Sequence, residues 1–156
     1  MSLIKKIIQL SFVFALVIFD IGCSSSLSGP LFKPVTEIPT DRSIIYLYRP
    51  DTGYNTEFTI SYNNIEVCIL VSGGYFPFYA EAGKVKISSA VNFKMFATGL
   101  LDQAASGTRD FFFQAEQGKI YYLECQGHQE LFIKVVPENF GLSSIRDCRL
   151  LEPISP

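Results

Sequence analysis

The sequence predicts an all-β domain, an antiparallel β-sandwich of seven to eight strands with a short C-terminal helix, preceded by a signal-peptide helix. Three observations predict it. Short apolar or alternating runs recur at spacings of roughly ten residues, turn residues separate them, and no long stretch between them has helical periodicity. With 156 residues, 48% hydrophobic and only 18% charged, the chain holds enough apolar surface for one core and too little charge for a solvent-swollen coil.

The elements follow in order. Ile44-Ile45-Tyr46-Leu47-Tyr48 is a β-branched and aromatic run, ended by Arg49-Pro50-Asp51-Thr52-Gly53, which read as turn residues. Phe58, Ile60 and Tyr62 alternate with Thr59 and Ser61, and Asn63-Asn64 separates them from Ile65, Val67, Ile69 and Val71. Two residues that tolerate positive φ between two such runs mean a tight hairpin. Ser72-Gly73-Gly74 turns the chain into Tyr75–Tyr79, where Pro77 implies an edge or a strand irregularity. After Ala82-Gly83-Lys84, Val85 and Ile87 alternate with Lys86 and Ser88. Asn92–Thr108 reads as strand then loop, without clean periodicity. Phe111-Phe112-Phe113 opens another strand, Glu116–Lys119 turns it, and Ile120–Cys125 runs back. Leu131, Ile133 and Val135 alternate in the last long strand, and Leu142, Ile145 and Arg149 fall at helical spacing.

The first residues read as an address. Lys5 and Lys6 precede an uncharged run, Ile7–Phe19, about 20 Å long as a helix, too short for a bilayer core of about 30 Å and suited to a signal-peptide core. The Ile21-Gly22-Cys23 ending resembles the lipobox of bacterial lipoproteins, with Asp20 standing where they usually carry Leu or another apolar residue. That resemblance implies a diacylglycerol thioether on Cys23, cleavage before it and a palmitate-type acyl chain on the new amino terminus. An uncleaved single anchor and cleavage elsewhere are the competing readings. Ser24 in second place implies the outer membrane of a Gram-negative envelope, with the body facing the periplasm. The expected organisation is a lipoprotein signal peptide at 1–22, a lipidated cysteine and flexible linker at 23–40, and the β-sandwich at 41–153. Pro30, Pro34 and Pro39 block helix and central strand through the linker, which then skims the body.

The run Ile44–Pro50, then Ile60 through Asn63-Asn64, Gly74-Tyr75-Phe76, Ala82-Gly83-Lys84-Val85 and Gly118–Leu123 is similar to the bacterial lipoprotein domain family named domain of unknown function twenty-eight forty-six. The likeness covers about residues 41–150. Asn63-Asn64 stands for the family's Asp-Gly, and Ala82-Gly83 for its Pro-Gly. The resemblance implies an immunoglobulin-like or transthyretin-like sandwich in the envelope and brings no catalytic residue with it.

Chemistry-bearing motifs are sparse. His128, the only histidine, lies between two strands with no partner constellation at catalytic spacing and reads as a solvated loop residue. Ser72 lacks the Gly-x-Ser-x-Gly elbow. No phosphate loop and no paired Cys or His spacing suggests a cofactor or metal, and Glu57, Glu66 and Glu81 are single carboxylates whose convergence sequence spacing does not reveal. Dispersed Lys and Arg give no nucleic-acid footprint. With Cys23 modified, Cys68, Cys125 and Cys148 remain. A bridge from Cys125 to Cys148 would staple the C-terminal tail to the sheet, and buried free thiols are the alternative. Tyr75, Phe76, Phe78 and Tyr79 flank Pro77, and alternation sends Tyr75 and Tyr79 one way and Phe76 and Phe78 the other. Exposed, either set is a contact surface; covered, both are core.

The expectation is thus a membrane-anchored envelope lipoprotein whose sandwich is a non-enzymatic binding or structural module for an unidentified envelope protein or ligand. The alternative is a carrier of lipid or peptide with an apolar slot between the sheets.

Overall fold

The computed structural model describes residues 27–92 and 107–154. Among these residues the body is a β-sandwich of nine strands and one helix: β1 Ser43–Arg49, β2 Phe58–Tyr62, β3 Ile65–Leu70, β4 Gly74–Ala80, β5 Gly83–Val91, β6 Arg109–Ala115, β7 Ile120–Gln126, β8 Phe132–Val136, α1 Glu138–Ile145 and β9 Arg149–Leu150. One sheet runs β8-β7-β1-β4-β9 and the other β3-β2-β5-β6. Most pairs are antiparallel, as short turns between consecutive strands require. Two are not, because β1 pairs in parallel with β7, and β4 with β9.

Local chemistry places the turns. Asn63 and Asn64 take φ 48° and 69°, which both central positions of a type I′ hairpin demand, and β2 and β3 pair antiparallel across them. Each asparagine side chain also accepts a hydrogen bond from Lys86, from its backbone N–H and its ammonium respectively. Pro77 in β4 lies opposite Tyr46 of β1, while β9 on the other side pairs only with Gly74 and Tyr75. The strand is therefore an edge at the proline, and the missing N–H breaks no ladder there.

The two faces of the five-stranded sheet explain the composition of β1. Ile45 and Leu47 enter the inter-sheet core with Phe58, Ile60, Leu70, Val85, Ile87 and Leu123. Ile44, Tyr46 and Tyr48 point the other way, into a second core with Tyr75, Tyr122, Ile145 and Cys148, closed by Phe32, Val35 and Leu142. All seven residues of β1 are buried, so its near-continuous apolar run is that of a strand covered on both faces. Each Ile, Leu or Phe fully withdrawn from water contributes about 1.5–3 kcal/mol of transfer free energy. The second core is aromatic and edge-packed: Phe32 meets Tyr46 at 5.0 Å and Tyr75 at 5.3 Å, near perpendicular in both.

Two sequence expectations change here. Arg149 leaves the helix, which ends at Ile145, and joins β9. The linker segment does more than skim: Leu31 bridges to Arg149, the Leu150 N–H donates to the Pro30 carbonyl at 2.9 Å, and Phe32 and Val35 fill the second core. Its prolines are accommodated because the segment lies on the open edge of β9, where not every N–H needs a partner. The reading of Asn92–Thr108 falls, from residue 93 to 106, outside the described residues.

Candidate functional site

β1 and β7 run parallel, so their C-terminal ends emerge together and the loops that follow, 50–57 and 127–131, lie side by side. β5 ends and β6 begins at this same end, since Val91 pairs with Phe58 and Arg109 with Ser89. Between these loops opens a pocket of about 700 Å³, lined by Thr56, Val91, Gly127, His128, Gln129 and Phe132 among others. Tyr54 stacks on His128 beside it, ring centroids 5.1 Å apart and 22° from parallel. On the other flank the Arg109 guanidinium lies 4.1 Å above the Phe132 ring and donates to Glu130 at 2.9 Å.

One side chain braces the floor. Arg49, the last residue of β1, is 0% exposed. Its Nη1 donates to the Thr56 carbonyl at 2.5 Å and its Nη2 to the Gly127 carbonyl at 2.8 Å, so it ties together the two loops that wall the pocket. The guanidinium also sits 5.2 Å from the Phe58 ring centroid, and no described carboxylate forms an ion pair with it. Its Nε has no hydrogen-bond partner among the described residues. Desolvation pulls its pKa below the usual arginine value, and carbonyl dipoles and a ring face take the place of a counter-ion. The Arg49 carbonyl accepts from the Gly73 N–H at 2.9 Å and from the Cys148 thiol at 3.7 Å, so four chain segments meet at this residue.

The rim offers aromatic faces, the side-chain amide of Gln129 and the carboxylate of Glu130, which is already paired with Arg109. These groups suit recognition by stacking and hydrogen bonding. Among the described residues no three His, Cys, Asp or Glu side chains gather as metal ligands, and no helix is long and apolar enough to cross a membrane.

The residues singled out from sequence are distributed as follows. Cys23 lies outside the described residues. Cys125 and Cys148 are not brought together: Cys125 points into the inter-sheet core and Cys148 into the second core, with the five-stranded sheet between them. Both, and Cys68, are buried free thiols. Burial pushes Cys68 and Cys148 up to about 12 and Cys125 well above its ordinary value. Tyr75, Phe76, Phe78 and Tyr79 form no contiguous contact surface. Alternation directs them as expected, but Phe76 and Phe78 pack on the inter-sheet core, Tyr75 is buried beneath the N-terminal segment, and only Tyr79 is exposed, at 53%. Glu57 accepts from Asn92 near the pocket, whereas Glu66 sits beside the Asn63-Asn64 hairpin at the far end.

Sequence reasoning missed Arg49 and the Tyr54–His128 stack. An arginine closing an otherwise apolar strand was the available signal for the first. The stack joins residues from separate loops and left no local trace. No family model, curated protein or solved structure matches the chain.

Proposed function

We propose that this chain is an envelope lipoprotein anchored through Cys23, most simply in the outer membrane, whose β-sandwich is a non-catalytic binding module with its site at the loop end between Tyr54, His128, Gln129 and Phe132. One observation carries the binding reading: the space between the sheets is filled by side chains at 0–1% exposure such as Ile45, Leu47, Ile60 and Leu123, while an open pocket of about 700 Å³ lies at the loop end. A carrier with an internal apolar slot would need that core hollow. Arg49 supports the same reading, since a buried cation held by two loop carbonyls fixes loop positions before any ligand arrives, which lowers the ordering cost of binding.

Two measurements test it. Metabolic labelling with a palmitate analogue should mark the wild type and not Cys23→Ala; no label on the wild type, or equal label on both, ends the lipoprotein reading. A photo-crosslinking amino acid at His128 should give a discrete adduct in living cells that is absent when the same group is placed at Gln117, on the opposite end. The same pattern of adducts from both positions ends the assignment of the site.

A further inference from the structure

The path of the chain into the body fixes more than attachment. Leu27 packs against the loop end of the inter-sheet core, with its Cδ1 3.2 Å from where a Cβ on Gly73 would stand. Asp51 flanks the same glycine, and loop 50–57 is tied to it through the Thr52 N–H, which donates to Ser72 Oγ at 2.9 Å. From Leu27 onward the segment is held, with the Arg149 guanidinium donating to the Gly29 carbonyl at 3.0 Å and the Leu150 N–H to that of Pro30. The chain therefore enters the sandwich at the pocket end.

We propose that the pocket end rests on the bilayer, so that the membrane surface itself is the partner of loops 50–57 and 127–129. This rests on the reading of Cys23 as the acylated residue. Cys23 and Leu27 are only four residues apart in sequence, and four residues reach at most about 14 Å even when fully extended. The seven residues of β1 alone span about 24 Å. A strap of that reach cannot run the length of the sandwich, so the body cannot stand on its far end, with the Asn63-Asn64 hairpin and the Glu116–Lys119 turn against the lipid and the pocket end away from it. The surface suits the placement. Thr52–Thr56, Ser72-Gly73 and Gly127–Gln129 contain no Asp, Glu, Lys or Arg, and Tyr54 is 53% exposed, an aromatic with a polar tip of the kind that settles among headgroups. The carboxylates at this end are already engaged: within loop 50–57 Asp51 accepts from the Gly53 N–H and the Ser72 hydroxyl and Glu57 from the Asn92 side-chain amide, while Glu130 is paired with Arg109.

The chain contains no tryptophan, which allows a direct test. Tyr54→Trp and Gln117→Trp each give a single reporter at an exposed position on opposite ends. The acylated full-length mature protein, its modification verified by mass, is reconstituted into phosphatidylethanolamine/phosphatidylglycerol vesicles carrying lipids brominated near the headgroup end of the acyl chain. The expected result is loss of emission for Tyr54→Trp and none for Gln117→Trp. A ~20-residue Gly/Ser spacer inserted between Ser26 and Leu27, with a typical reach of roughly 25 Å, should abolish the difference. Equal quenching, quenching at Gln117→Trp alone, none at either position, or quenching at Tyr54→Trp that survives the spacer overturns the strap. Absence of an acyl chain on Cys23 by mass overturns it together with the lipoprotein reading, whereas failure with the acyl chain present overturns this inference alone.

Discussion

Arg49 shows how one residue joins distant parts of the chain. Its two hydrogen bonds reach residues 7 and 78 positions away, and its carbonyl accepts from a thiol 99 positions away. Truncation removes the brace and leaves a cavity where a long side chain stood. Arg49→Ala should lower unfolding free energy by about 3 kcal/mol and loosen the pocket loops, measured by denaturant titration and by hydrogen exchange at residues 52–57 and 127–130. Arg49→Met, which keeps most of the volume and loses the charge, should lose less stability while still freeing the loops. The tyrosines of β4 make a second contrast. Tyr75→Ser opens the second core beneath Phe32 and should cost several kcal/mol by the same titration, whereas Tyr79→Ser, at an exposed position, should stay within about 0.5 kcal/mol of the wild type.

At the scale of the element, the helix is decided by what it covers. α1 has no side-chain cap, with Pro137 at its N-cap, and a glycine stands in its interior. In an exposed helix Gly→Ala would stabilise by about 1 kcal/mol. Here a Cβ on Gly141 would lie 2.3–2.7 Å from Cβ, Cγ and Cδ1 of Tyr122, the base of a buried ring that has no room to yield. Gly141→Ala should therefore destabilise, by about 1–3 kcal/mol, and the sign of the change in melting temperature checks it. The N-terminal segment obeys the same logic. Its prolines exclude it from a sheet interior, yet Phe32 and Val35 reach over the sheet face and cover tyrosines that would otherwise meet water.

The whole molecule stacks two cores around one sheet, and its ionisable groups report on both. Tyr46, Tyr75, Tyr122, Cys68, Cys125 and Cys148 all have raised pKa values, with burial the leading cause, and Tyr122, Cys68 and Cys148 reach about 12. A group whose pKa is higher folded than unfolded holds its full contribution below the unfolded value and loses it as pH climbs toward the folded one. Stability should thus fall from the unfolded thiol value of 9.0 upward, largely by about 12, with unfolding and phenolate absorbance rising together. A denaturant midpoint unchanged across that range would contradict the two-core packing. In the neutral range, a thiol reagent should find Cys68, Cys125 and Cys148 unreactive until the protein is denatured, and then count all three without reductant.

The eight longer strands, the Asn63-Asn64 hairpin, the open edge at Pro77 and the short helix were legible in the residues, because each depends on chemistry within a few positions: a period of two, a positive φ, a missing N–H. The direction of pairing was not legible. Whether β7 lies parallel or antiparallel to β1 leaves the alternation of either strand unchanged, and it is the parallel choice that brings loops 50–57 and 127–131 to one end and creates the pocket. The same holds for the second buried face, which separates Cys125 from Cys148 and covers Tyr75. A run of five apolar residues shows that a strand is covered on both sides, without showing by what. Local stereochemistry settled the elements, and contacts between residues many tens of positions apart settled the site, since only closure of the chain determines which loop ends become neighbours.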